Sequence, residues 1–288
     1  MSPRRIPIDL SNYQRRKAWN RAAFFLTAVC AALVLSSLLF ILGYLWVNGI
    51  SSVNWNFFTK LPKPVGETGG GMANALVGSA ELLALAAVVG LPVGVLAGVY
   101  LSEFGRNRFG DVVRYMTDIL NGVPSIVIGI FAYALFVLPM RKFTALAGGA
   151  ALGIMMIPIV VRTTEEFLKL VPDCVREASY ALGIPRWKTV LFIILPTAQR
   201  GILTGILLAF ARVAGETAPL LFTAFGNRYW GRSLLAPVSS LPVMIYTYAV
   251  SPYEDWHRQA WAAGLVLLTW VFVLGLVART VLRKPASA

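Results

Sequence analysis

Pro172-Asp-Cys-Val-Arg-Glu-Ala-Ser-Tyr-Ala-Leu-Gly-Ile-Pro-Arg-Trp-Lys-Thr-Val-Leu-Phe-Ile-Ile-Leu-Pro196 breaks a largely apolar chain with charge, glycine and proline. Pro172 suits the start of a helix, where its missing amide would be unpaired anyway. Gly183 suits the left-handed residue that ends one. Pro185 can open a second helix and Pro196 can close it. The spacing predicts two short helices joined at Gly183. Val175, Ala178, Ala181 and Leu182 share a helical face. That small apolar face either receives a partner or packs against the protein's own headgroup zone.

On both sides of this segment the chain reads as membrane protein. Of 288 residues, 57% are apolar and only 14% are charged, and the mean hydropathy is +0.69. Soluble domains run about 45–50% apolar and about 25% charged. Six runs are long enough to cross a bilayer core of about 30 Å. They are 22–47, 74–101, 112–138, 143–161, 201–225 and 260–282. The second and fourth are rich in glycine and alanine, which lets helices approach closely in lipid. They are expected inside the bundle, and the first at its periphery. The chain then divides into an arm (1–21), a first span (22–47), a loop (48–73) and a core (74–288). Residues 162–200 form a polar segment within that core.

The net charge of +13 is spread unevenly. Eighteen lysines and arginines fall in the arm, the second and fourth connections and the C-terminus, and seven fall in the opposite loops. The positive-inside rule places both termini and the 162–200 segment in the cytoplasm. Sparse charges separated by apolar runs exclude nucleic acid as the leading partner. Cys30 and Cys174 give no disulfide framework, and neither a metal nor a cofactor is expected. No Gly-x-x-x-x-Gly-Lys-Ser/Thr loop occurs, so ATP hydrolysis belongs to another chain, and the protein reads as a non-enzyme.

One basic residue remains, inside the fifth span: Ala209-Phe-Ala-Arg212-Val-Ala-Gly-Glu216-Thr217-Ala-Pro219-Leu-Leu-Phe222. Arg212 lies about 18 Å along a helix from Arg200, near the midplane. Burying that charge in lipid is costly, which makes it a functional candidate. Glu216 follows at i+4, where it can partly neutralise Arg212. Two readings stay open: an ion pair that fixes helix packing, and a cationic point on an anion route. Arg presents a planar fork to oxyanions, Thr217 adds a hydroxyl, and Pro219 can free backbone groups toward a cavity.

Both segments resemble known sequences. Glu177, Ala178, Gly183, Ile193, Leu195 and Pro196 match the coupling-helix pattern of ABC importer permeases, with Ser179 at the second alanine. The stretches 121–129, 209–224 and 241–256 resemble the PstA-type permeases of the phosphate-specific ABC importer. The resemblance implies an all-α, type I ABC importer permease fold with six transmembrane helices in a bacterial inner membrane. It implies phosphate passage past Arg212 and Glu216, and ATPase docking on Glu177, Ala178, Ser179 and Gly183. It implies a second permease (PstC-type), an ATPase dimer (PstB-type) and an extracytoplasmic phosphate-binding protein (PstS-type) as partners. Charge alone says only "anion", so sulfate, molybdate and tungstate importers, or a passive channel or carrier, remain alternatives.

Other polar residues are ambiguous. Arg162 is either an interface anchor or an inner-mouth phosphate contact. Glu81 sits about two turns into the second span and is read as structural. Asn121, Pro124 and Ser125 interrupt the third span, as a packing kink or as part of the pathway. His257 is expected in an external loop.

Overall fold

A computed structural model describes residues 10–67, 69–231 and 233–283, with side chains within 12–276. Arg4, Arg5, Lys284 and Arg232, and the side chains of Arg279 and Arg283, all counted in the charge balance, lie outside that set. The chain divides into two compact units, 1–48 and 49–288. The first is one helix, α1 (Leu10–Gly49). It starts twelve residues before the expected span, so much of the basic arm continues the same helix. Its described side chains are exposed and apolar around its circumference in the hydrophobic stretch, which suits lipid.

The second unit is built on α2 (Ala73–Glu103) and α5 (Ala145–Lys169). Gly90, Gly94 and Gly98 repeat every fourth residue on one face of α2. They meet Met156, Val160 and Thr164, which repeat at the same interval on α5. A Cβ built on Gly94 would lie 2.7 Å from the Val160 Cβ, and one on Gly98 would lie 2.6 Å from the Thr164 Cβ. Real Cβ atoms do not approach so closely, so only glycine permits this seam. The two spans expected inside the bundle are thus packed on each other, and α5 is buried along most of its length.

Helix α5 begins inside protein, and its first amides need acceptors. Thr144 caps it, accepting from Ala147 N through Oγ1 (3.1 Å). The Ala145 and Leu146 amides donate to the carbonyls of Ala236 and Leu234, at 2.9 and 3.1 Å. The long 224–240 segment therefore closes one end of the bundle.

The third expected span is not one helix. It is α3 (Arg108–Gly122) followed by α4 (Ser125–Met140), bent by 103°. Pro124 lacks an amide, and it forces Val123 into an extended conformation (ψ 129°). This is more than a packing kink. Helix α3 exposes Phe109, Val112, Tyr115, Met116 and Ile119, while Gly110 and Thr117 are buried. An amphipathic helix at nearly a right angle to its continuation suits a membrane–water interface.

The polar segment also differs. Only α6 (Asp173–Ala181) stands alone. Pro185 does open a helix, but that helix, α7, runs unbroken from Arg186 to Ala214. Pro196 does not close it. A π-helical turn over Val190–Ile194 widens the backbone just ahead of the proline. Thr197 Oγ1 then donates to the Ile193 carbonyl at 2.6 Å. Beyond α7 come α8 (Ala218–Thr223), α9 (Leu241–Ala249) and α10 (Glu254–Arg283). Among the described residues, five helices are long and apolar enough to cross a membrane, and six crossings result if the bent pair counts as one.

Replacing Gly94 by leucine should lower the thermal stability of the purified protein by about 1–3 kcal/mol or more, the usual cost of overpacking. Gly43→Leu, where a Cβ meets nothing within 4 Å, should leave it unchanged in the same melting assay.

Candidate functional site

Helix α6 ends as the sequence predicts. Gly183 adopts φ +75°. The Gly183 amide donates to Tyr180 O (2.9 Å) and the Ile184 amide to Ser179 O (3.2 Å). Those two bonds form a Schellman cap. Glu177, Ala178, Ala181 and Gly183 are exposed, and Leu182 is 80% exposed. Ser179 is not on that face. It is 3% exposed and shares a 2.7 Å hydrogen bond with Thr189 Oγ1, which is fully buried. A hydroxyl buried there needs a partner, and this one ties α6 to the first turn of α7. Ser179 thus anchors α6 from beneath, while Glu177, Ala178 and Gly183, the other residues expected to dock an ATPase, are exposed.

The attachment of α6 to the bundle runs through Arg176, which sequence reasoning missed. Its guanidinium donates to both oxygens of Glu103, at 2.9 and 3.3 Å, and to the carbonyls of Val171 and Leu168, at 2.6 and 3.0 Å. Glu103 ends α2, and Leu168 belongs to the last turn of α5. One side chain therefore joins α6 to both seam helices and satisfies carbonyls that a helix end leaves unpaired. The Glu103 carboxylate pushes the Arg176 pKa further up, so the guanidinium stays charged. The available signal was weak: 73 residues separate the partners.

Beside it, Glu165 is almost fully buried and collects Arg114 (2.7 Å) and Lys169 (2.6 Å). Arg114 also donates to the Leu101 and Gly105 carbonyls, at 2.8 and 3.0 Å. Arg162 pairs with Asp118 at 3.0 Å and has Glu165 and Glu166 at 3.7 and 3.9 Å. Three carboxylates around one guanidinium favour the anchor reading of Arg162 over an anion contact.

The charged element lies at a helix break. Arg212 is in the last turn of α7, and the chain turns at Gly215 before α8. Glu216 N donates to Val213 O, three residues back, so the i+4 ladder ends before it reaches Glu216. Among the described residues no ion pair within 4.0 Å joins Arg212 to any carboxylate, and the expected pairing with Glu216 is not formed. Arg212 is exposed, and Glu216 and Thr217 are half-buried. Gly201 packs on Phe167 and Gly205 on Thr163, so α7 descends antiparallel to α5. At equal rise per residue, Arg212 lies level with Met156, the middle of α5 and the level of Gly90. Pro219 is accommodated at the start of α8, where Gly129 of α4 packs against its backbone.

At the opposite end, His257 Nε2 donates to the Ser251 carbonyl (2.6 Å) within the first turn of α10. Glu81 is half-buried, with Oε2 facing Gly231 of the closing segment. Cys30 and Cys174 are both free.

Comparisons with known proteins agree with this architecture. The family described as "binding-protein-dependent transport system inner membrane component" matches residues 90–284. The chain is 43% identical to the phosphate transport system permease protein PstA of Yersinia pestis, over 97% of this chain and 99% of that one. It is 46% identical to the PstA of Xylella fastidiosa (strain Temecula1 / ATCC 700964), over 94% and 95%. Among solved structures, it is similar to a bacterial ABC transporter involved in alginate import (TM-score 0.65, 11% identity, 97% and 100% covered). It is also similar to the inward-facing MetNI methionine ABC transporter (TM-score 0.58, 20% identity, 74% and 96% covered). At those identities the structures speak for the fold.

Arg176→Ala strands the buried Glu103 carboxylate and should destabilise the protein by about 3 kcal/mol or more. Adding Glu103→Leu should recover much of that loss. Unfolding of Arg176→Ala, Glu103→Leu and the double variant in micelles closes a double-mutant cycle on the pair.

Proposed function

Since this chain belongs to the family of binding-protein-dependent transport system inner membrane components, we propose that it is the permease subunit of an ATP-driven phosphate importer. It supplies half of the translocation pathway and is coupled to an ATPase through α6. The observation that carries the proposal is Arg212, exposed at mid-depth and, among the described residues, without a carboxylate within 4.0 Å. Against lipid, such a charge costs about 2.5–3.5 kcal/mol on insertion scales. Its surroundings in the working protein are therefore water or a second subunit. A guanidinium fork there attracts an oxyanion. The names of the PstA relatives favour phosphate over sulfate, molybdate or tungstate.

The remaining partners follow from the two ends of the molecule. The docking face of α6, with its coupling motif, favours an ATP-driven machine over a passive channel. It is assigned to a PstB-type ATPase dimer in the cytoplasm, and the positive-inside count favours both termini on that side. A PstC-type permease completes the pathway across from Arg212, and a PstS-type binding protein delivers phosphate at the α9–α10 end. ATP binding draws the docking helices of the two permeases together. The Arg176–Glu103 link and the α2–α5 seam pass that displacement to the spans. Glu216 and Thr217 sit beyond the Gly215 turn, so a change at that turn brings the carboxylate toward Arg212 or away from it. A competing carboxylate lowers the affinity of Arg212 for phosphate and permits release.

Arg212→Gln should abolish phosphate uptake with assembly of the complex intact, read by transport assay and co-purification. Normal uptake would contradict the pathway role. Gly183→Leu costs only about 1 kcal/mol locally, through its left-handed backbone, and a Cβ there meets nothing within 4 Å among the described residues. It should uncouple ATP hydrolysis from transport, and unchanged coupling would remove the docking assignment.

A further inference from the structure

Where Arg212 stands at mid-depth, a second arginine stands at the end of the same segment. The chain runs from Arg212 through the Gly215 turn and α8, about 9 Å long, to Arg228. The Arg228 guanidinium lies over the Trp256 ring, 5.2 Å from its centroid. Trp256 is itself stacked on Tyr248 (4.4 Å, 12° between planes) and meets Tyr253 edge-on at 5.5 Å. Trp256 and Tyr248 are buried, so they form a fixed platform under an exposed charge. A cavity of about 230 Å³ opens beside it; most of its wall is apolar, from residues such as Val238, Val243 and Met244, with Arg228, Asn227 and Thr247 among its polar lining.

Arg228 differs from the other well-placed arginines of the core. Arg114, Arg162 and Arg176 each meet carboxylates. Among the described residues, no carboxylate lies within 4.0 Å of Arg228, although Glu254 and Asp255 flank Trp256 in sequence. No hydrogen bond engages its N–H groups among those residues either. Stacking on an indole holds a guanidinium flat and leaves its donors in the ring plane free. Burial pushes the Tyr248 pKa up, with the Arg228 charge pulling the other way, so the phenol keeps its proton beside the cavity.

We propose that Arg228, held on the Trp256–Tyr248 stack, forms an entry subsite for the transported oxyanion. The anion rests there before it passes along α8 to Arg212. This rests on the phosphate-permease reading and adds a residue to the same route. The subsite is weak, because it offers one charged fork in a cavity open to water, where charge–charge attraction is screened. Weakness suits a relay, which must hand its ligand on.

The test uses the complete complex in nanodiscs, without binding protein or nucleotide, titrated with inorganic phosphate and read by tryptophan fluorescence. The difference between the wild type and Trp256→Phe isolates the stacked indole. A saturable change from Trp256 is expected, absent in Arg228→Gln and shifted to roughly tenfold higher phosphate in Arg228→Lys, which keeps the charge but loses the planar fork. The binding-protein concentration that half-maximally stimulates ATPase should be the same in Arg228→Gln as in wild type. No Trp256 response to phosphate, a response that chloride reproduces at equal ionic strength, or a raised half-maximal binding-protein concentration would each overturn the proposal. The last outcome would instead assign Arg228 to protein docking. ATP-driven uptake by the wild type is measured alongside: its loss strikes the permease reading, whereas intact uptake with a silent Trp256 strikes the subsite alone.

Discussion

Everything in the core depends on how closely α2 and α5 approach. In lipid, helices gain little from burying apolar surface against each other, so packing at close range must hold them. Gly90, Gly94 and Gly98 provide that range by presenting bare backbone to Met156, Val160 and Thr164. The seam fixes the relative height of the two helices. It therefore fixes where Glu103 and Leu168 emerge side by side, and those are the groups Arg176 requires. Helix α6 is tied to the seam through Arg176, and the height of Arg212 follows from the glycines that pack α7 on α5.

Charge is distributed by the same logic. At the α6 end, four basic groups are matched to carboxylates: Arg114, Arg162, Lys169 and Arg176 share Glu103, Asp118, Glu165 and their neighbours. Matched charges hold helices together and leave little net field for a mobile anion. Arg212 and Arg228 are unmatched among the described residues. One lies beside a helix break and the other on an aromatic platform. The matched arginines build the protein, and the two unmatched ones are those proposed above to receive a ligand.

Much of this was legible in the sequence because it rests on local chemistry. Pro172, Gly183 and Pro185 set the turns around α6, and glycine and alanine content marked α2 and α5 as interior. The failures come from backbone geometry that residue spacing does not mark and from partners on other elements. Pro196 read as a terminator because the π turn that accommodates it has no sequence mark. Arg162, Glu165, Glu166 and Lys169 read as the edge of a cytoplasmic loop, yet ion pairs let α5 continue through them. The i+4 spacing of Arg212 and Glu216 implied a pair only while the helix was assumed to persist past Gly215. Ser179 passed for a small surface residue because its partner, Thr189, lies across the turn on another helix.

The central claim is that this chain serves transport driven by ATP rather than a passive leak of anions. Phosphate accumulation in sealed proteoliposomes containing the whole complex, with its binding protein on one side and ATP on the other, tests it most directly. The account predicts accumulation against the gradient that stops when ATP is withheld. Phosphate entry at the same rate without ATP, going no further than equilibrium, would contradict it.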